Sequence, residues 1–156
     1  MDLHLKGKKV FISGSTKGIG FETARLFLEE GARVIINGRT KKSVESALSS
    51  LNSDNVSGLV ADFLKDSQVK TLIDHIPNDI DILVNNVGIF RGKEFKDETV
   101  DDWNDHFKVN LMSGVQLSKH FLPEMIKRNW GRIIFISSEC ATLVPSDLLS
   151  YSVSKA

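Results

Sequence analysis

The sequence predicts an α/β fold: a parallel sheet wound by helices on both faces, built as a single domain over residues 1–156. Three observations predict it. Short β-branched and aliphatic runs alternate with longer segments of helical period, the pattern of parallel strands joined by crossover helices. The short runs are nearly continuous in apolar character, as in strands covered on both faces. The 156 residues, 41% hydrophobic and 26% charged, have the composition of one ordinary globular domain.

The elements follow in order. Residues 10–12 (Val10-Phe11-Ile12) form the first strand. Behind it Phe21, Ala24 and Leu28 fall at i, i+3, i+7, with Glu22, Arg25 and Glu29 on the opposite face, so an amphipathic helix is predicted that Gly31 stops. Residues 33–36 form the second strand, and Val44, Ala47, Leu48 and Leu51 mark the next helix. A third strand is predicted at 58–61, followed by a helix with Val69, Leu72, Ile73 and Ile76 inward and Pro77 beyond its end. The fourth strand is 80–84. A longer helix is predicted from about 101 to 129, with Phe107, Leu111, Val115, Ser118 and Leu122 on one side, Pro123 kinking it or opening a bond, and Gly131 after its end. Residues 132–136 form the fifth strand. Tyr151 to Ala156 open a helix that stops short of two turns, so the chain is expected to be C-terminally truncated.

Charge and cysteine usage exclude several classes. Lys plus Arg number 20 and Asp plus Glu number 20, which leaves no basic excess for a nucleic-acid backbone or an anionic membrane. Neither is expected as a partner. The single Cys140 cannot form an internal disulfide, residues 1–6 lack the apolar run of a signal peptide, and no stretch approaches the roughly 18 apolar residues of a membrane span. A reducing, cytoplasmic setting is expected, and Asn55-Val56-Ser57 then has no secretory context as a glycosylation acceptor. His4, His75, His106 and His120 are scattered without metal-ligand spacing, so no metal site is expected and they read as surface or satisfied histidines. Ser152-Val153-Ser154-Lys155 spells S-x-x-K, but the Ser-Asp-Asn and Lys-Thr-Gly signals that accompany that nucleophile are missing.

Right after the first strand, Ser13-Gly14-Ser15-Thr16-Lys17-Gly18-Ile19-Gly20 turns directly into the first helix. Glycines let a backbone approach a pyrophosphate closely, and a helix N-terminus offers unpaired N–H groups and partial positive charge. In this context the turn reads as a dinucleotide site, with contacts assigned to Gly14, Ser15, Lys17, Gly18, Ile19 and Gly20. It is not a P-loop, because Lys17 precedes Gly18 rather than following it. Arg39 lies nineteen residues beyond Gly20, and Gly38 stands where an acid would grip the ribose 2′-hydroxyl of NAD. Arg39 offers a planar fork of donors to a 2′-phosphate, with Lys17 in the adjacent loop, so NADP(H) is the expected cofactor. Asp62, Asn86 and Gly88 lie at strand carboxyl ends, where ligands bind in such sheets, and are assigned to the cofactor as well. Asn85 is left as a scaffold residue.

Ser138 follows the fifth strand, and Tyr151 and Lys155 stand four residues apart on the next helix, sharing one face. A free tyrosine is a poor acid or base at neutral pH, so a neighbouring cation is needed to favour the phenolate. Lys155 can supply it: at an effective dielectric of about 20 and roughly 4 Å the attraction approaches about 4 kcal/mol. Ser138 would donate a hydrogen bond to a substrate oxygen as charge develops, and Tyr151 would deliver the proton during carbonyl reduction.

Together these residues resemble the short-chain dehydrogenase/reductase family, from the first strand to Lys155. The resemblance implies a Rossmann-type fold, NADP-linked oxidation or reduction of a small-molecule alcohol or carbonyl, and assembly as a homo-oligomer, either tetramer or dimer. It implies further that Ser138 orients substrate, Tyr151 is the acid/base, Lys155 also binds the nicotinamide ribose, and Asn110 anchors a water in the proton relay. From helix period alone Asn110 is an ordinary helix residue. Ser13 replaces the family's usual Thr but keeps a hydroxyl, and Val87 replaces Ala. Family members are longer, and a polypeptide ending at Ala156 is expected to lack turnover. The alternative is a non-catalytic NADP-binding sensor or structural subunit, against which the set Asn110, Ser138, Tyr151 and Lys155 argues.

Overall fold

The computed structural model describes residues 3–156. Met1 and Asp2, at the head of the segment inspected for a leader, lie outside the described residues. The chain runs β1 (Lys9–Ile12), α1 (Gly18–Glu29), β2 (Arg33–Gly38), α2 (Lys41–Leu51), β3 (Val56–Val60), α3 (Asp66–His75), β4 (Ile82–Asn85), α4 (Val100–His106), α5 (Ser113–Lys127), β5 (Arg132–Phe135) and α6 (Leu149–Lys155). A π-helical segment, Phe107–Met112, joins α4 to α5.

The five strands are parallel in the order β3-β2-β1-β4-β5. Lys9 pairs with Arg33 and Ile12 with Ile36 on one side of β1, while Val10 pairs with Ile82 and Ile12 with Val84 on the other. The chain works outward from β1 to β3, then crosses back to β4. That reversal of strand order leaves a crevice between the carboxyl ends of β1 and β4, where this class of sheet binds ligands.

Strand side chains alternate between two cores. Val10, Ile12, Val34, Ile36, Ile82 and Val84 pack with Ala24 of α1 and Ala47 of α2, with Phe21, Leu28, Leu48 and Leu51 against the edge of that cluster. Phe11 and Leu83 point the other way, onto Val69 and Leu72 of α3 and Leu117, Phe121 and Met125 of α5. Each large side chain removed from water in this way contributes about 1.5–3 kcal/mol. This is the doubly wound α/β arrangement that the alternation of runs predicts.

Local chemistry sets the ends. Thr40 caps α2 by accepting the Ser43 amide at 3.2 Å, and Asn52 takes φ 42° at its far end, turning the chain so that Val56 pairs with Val34. The third strand therefore begins at Val56 rather than at 58. The fourth begins at Ile82 rather than at 80, because the Asp81 carboxylate takes the Lys9 amide at 2.9 Å and closes the ladder.

The long helix differs more. Its predicted side is not the buried one: Leu111 is 38% and Leu122 44% exposed, while Val109, Ser113, Leu117, Phe121 and Met125 form the buried stripe. The buried stripe continues from Asp102 and His106 through Val109 and Ser113 in three- and four-residue steps, so the face that packs on the sheet includes polar and small residues that a count of apolar positions passes over. Pro123 sits within α5 on its exposed side, where water can satisfy the carbonyl that the missing N–H leaves free.

Candidate active site

The glycine turn after β1 is held by short polar side chains. Ser13 Oγ accepts the amides of Asn86 and Val87 at 3.1 and 3.0 Å, so the hydroxyl at this position ties the β1 loop to the β4 loop. Asn86 Nδ2 donates to the carbonyls of Ser13 and Gly14 at 3.0 and 2.8 Å. Gly14 has φ +62°, and a Cβ there would fall 2.7 Å from Val87 Cα. A Cβ on Gly20 would fall 2.8 Å from the Gly14 carbonyl oxygen. Both positions exclude any side chain. Val87 thus packs its backbone against the turn.

Ser15 is fully buried: its hydroxyl donates to the Ile12 carbonyl at 2.6 Å and accepts the Asn37 amide at 3.0 Å, clamping β1 to β2. It holds the loop without lining the groove. Lys17 caps α1 with its backbone only, making no side-chain hydrogen bond to the first turn. The amides at Gly18, Ile19 and Gly20 therefore face the groove as unfilled donors with the positive end of the helix dipole behind them.

The groove encloses about 940 Å³ along the carboxyl edge of the sheet. Lys17, Arg39, Asp62, Asn86 and Gly88 all line it. Among the described residues neither Lys17 nor Arg39 has an ion-pair partner. Asp62 accepts the Leu64 amide at 3.0 Å and donates its own amide to Gln68 at 2.9 Å, which fixes the start of α3. Asn85, one residue before Asn86, is buried with neither end of its amide bonded.

At Gly88 the groove meets the second constellation. A Cβ on Gly88 would lie 3.4 Å from Asn110 Oδ1 and 3.8 Å from Lys155 Nζ. Asn110 stands in the π segment, whose widened turn is a frequent mark of functional positions. Its Oδ1 accepts the Ile89 amide at 2.8 Å, and its Nδ2 donates to the Ile89 carbonyl at 3.1 Å and to Ser154 Oγ at 2.8 Å. The side chain thus joins the β4 loop to α6, a bracing role that helix period does not reveal.

Lys155 is half-buried; its ammonium donates to the Ile136 carbonyl at 2.6 Å, and burial lowers its pKa from the ordinary lysine value. Ser137 Oγ donates to the Lys155 carbonyl at 3.0 Å, a second stitch between the end of β5 and α6. Ser138 Oγ accepts the Cys140 amide at 3.2 Å, which leaves its own O–H free to donate. Tyr151 sits one turn before Lys155, with the exposed ring of Phe90 against its edge at 5.0 Å between centroids and His106 at 6.2 Å. The phenolic hydroxyl has no hydrogen-bond partner among the described residues.

Sequence reasoning passed over His106. The ring is 1% exposed, and its Nδ1 lies 2.9 Å from both the Asp102 carbonyl and Ser150 Oγ. Burial, opposed by the Asp102 carbonyl, lowers its pKa, so the ring is neutral at neutral pH. It is neither a surface histidine nor a fully satisfied one, since its Nε2 is buried without a partner. Only its i, i+4 spacing from Asp102 hints at this.

Beneath it, Thr99 and Asp102 form a capping box at the start of α4, and Asp102 Oδ2 also accepts Lys93 Nζ at 2.7 Å. Lys93 first, then the Thr99 amide and hydroxyl, hold this carboxyl well below the usual range. A depressed folded-state value contributes stability that is present above the ordinary aspartate range near 3.9 and is lost as pH falls towards the folded value. Asp102→Asn is therefore expected to lower the urea midpoint at pH 7 and to flatten its decline between about pH 5 and pH 2. An unchanged acid limb would remove Asp102 from that role.

Comparison with known proteins follows the same outline. The family model described as short chain dehydrogenase matches residues 8–156. The uncharacterized oxidoreductase YvrD of Bacillus subtilis (strain 168) is 45% identical over 158 residues, covering 99% of this chain and 60% of that protein. The 3-oxoacyl-[acyl-carrier-protein] reductase FabG of Aquifex aeolicus (strain VF5) is 34% identical over 162 residues, covering 100% of this chain and 65% of its own. Among solved structures, a gluconate 5-dehydrogenase from Burkholderia cenocepacia J2315 in complex with NADP and tartrate superposes with a TM-score of 0.85 at 31% identity, covering 96% of this chain and 61% of that one. The chain spans 60 to 65% of the length of these curated relatives.

Proposed function

The chain belongs to the short-chain dehydrogenase family, and from that premise we propose that it forms the NADP-binding and catalytic part of an oxidoreductase that moves hydride between NADP(H) and an alcohol or carbonyl substrate, in the direction of ketone or 3-oxoacyl reduction. The observation that carries this is the continuity of one groove. It runs from the unpaired cations Lys17 and Arg39, past the open amides of α1, to Gly88 beside Asn110 and Lys155.

The residues present fit the cofactor. Open helix amides suit a pyrophosphate, and two free cations suit a 2′-phosphate. Gly14, Lys17, Gly18, Ile19 and Gly20 would hold the diphosphate, Arg39 with Lys17 the 2′-phosphate, and Asp62, Asn86 and Gly88 the remainder, with Ser15 acting through the loop it braces. When bound, NADPH supplies the hydride. Ser138 then donates its free hydroxyl hydrogen to the substrate oxygen as negative charge develops there. Tyr151, one helical turn before Lys155, delivers its proton to the same oxygen. Lys155 would hold the nicotinamide ribose, and Asn110, which ties the β4 loop to α6, would anchor a relay water. The NADP complex of the gluconate 5-dehydrogenase and the 3-oxoacyl reductase among the relatives support the cofactor and the carbonyl class. Homo-oligomeric assembly and a cytoplasmic setting belong to the same proposal; among the described residues no helix is long and apolar enough to cross a membrane.

Titration with NADPH and with NADH, followed by a panel of ketone and 3-oxoacyl thioester substrates, tests it. Tight NADPH binding with carbonyl-dependent oxidation is the expected result. NADPH binding with no oxidation of any carbonyl would favour the non-catalytic cofactor sensor instead.

A further inference from the structure

A buried polar chain unused by the mechanism ends one residue from Tyr151. Glu98 Oε1 accepts both the amide of Ser150, at 3.3 Å, and the Ser150 hydroxyl. Ser150 Oγ in turn lies 2.9 Å from His106 Nδ1, whose other contact is the Asp102 carbonyl. Because a carbonyl can only accept, Nδ1 carries the hydrogen and shares it between the Asp102 carbonyl and Ser150 Oγ, which leaves the serine hydrogen for Glu98. Donation therefore runs in one direction, from His106 through Ser150 to Glu98. Arg91, Glu98 and Asp102 are the charged groups acting on the ring, and Tyr151 faces it from α6.

The chain is incomplete, because Glu98 Oε2 and His106 Nε2 are both buried without partners. Each such atom is costly to bury, a penalty that an apolar core would avoid. What the chain secures is the start of α6. That helix is only Leu149–Lys155, its first turn has no side-chain cap, and a helix so short depends on ties from outside. Asn110 and Ser137 hold its far end, whereas Glu98 and His106, through Ser150, hold the end that carries Tyr151.

We propose that His106 is a positioning residue for Tyr151: its Nδ1–H, acting through Ser150 and Glu98, sets where the phenol stands. This rests on Tyr151 being the acid/base, and the test separates the two. In the full-length protein, His106→Asn keeps a donor near the Nδ1 position, His106→Gln moves it towards Nε2, and His106→Leu removes it. With thermal midpoints and NADPH affinity measured alongside, Gln and Leu are expected to lower kcat about tenfold, the scale of one buried hydrogen bond, with little change in KM for NADPH. Asn should restore most of the loss. The ring resonances of ¹³C-labelled Tyr151 should move in the Gln and Leu variants and return in Asn. Gln or Leu variants with wild-type kcat and unmoved Tyr151 resonances would overturn the proposal, as would an Asn variant as impaired as Leu at equal thermal stability. If the wild-type protein turns over no carbonyl, the oxidoreductase proposal fails on its own, and the Tyr151 resonances still decide whether His106 positions the ring.

Discussion

Tyr151→Phe is expected to lower carbonyl-dependent NADPH oxidation by about 10²–10⁴-fold, the range over which a positioned general acid acts. The substitution removes one oxygen and little else. The edge contacts of the ring with Phe90 and His106 do not involve the hydroxyl, and that hydroxyl bonds to nothing among the described residues. The fold and the start of α6 therefore stay as they are, and the NADPH affinity, read by fluorescence titration, should be largely kept. A loss in kcat with affinity preserved separates proton delivery from cofactor binding. Turnover equal to wild type would remove Tyr151 from its role.

Arg39→Asp should shift preference from NADPH towards NADH. A charge-assisted hydrogen bond to phosphate is worth about 1.5–3 kcal/mol, so NADPH affinity should fall by about 10- to 100-fold, while the new carboxylate can accept from a ribose hydroxyl. Nothing else is disturbed, since Arg39 is exposed, has no ion pair to break, and precedes the Thr40 cap that starts α2. Lys17 remains in the groove as a second cation, which sets a floor under the loss. Dissociation constants for both nucleotides measure the change, and undiminished selectivity for NADPH would defeat the cofactor assignment.

These two expectations rest on residues that local pattern alone singles out as candidates. The glycine string reads as a turn that a pyrophosphate can approach; what the Cβ contacts at Gly14 and Gly20 show is that the turn's own neighbours, Val87, Asn86 and the Gly14 carbonyl, leave no room for a side chain. The i, i+4 spacing of Tyr151 and Lys155 placed them on one face before any fold was known. Ser15 shows the limit: the same glycine-rich string that marks a turn does not say which of its hydroxyls point inward. The buried side of the long helix shows it again: apolar spacing favours Leu111 and Leu122, whereas the face that packs on the sheet runs through His106, Val109, Ser113 and Leu117, two of them polar.

Strand order of hydrophobicity, helix period and glycine placement are local properties, and they alone determined the doubly wound sheet and the loops at its carboxyl edge. Tertiary structure decided what those loops touch. Asn110 meets Ile89 across 21 residues and Ser154 across 44, and His106 meets Ser150 across 44. Glu98 reaches Ser150 across 52. A sequence pattern reports which way a side chain faces within its own helix or strand, whereas these hydrogen bonds exist only because the sheet brings the β4 loop, the π segment and α6 to the same edge.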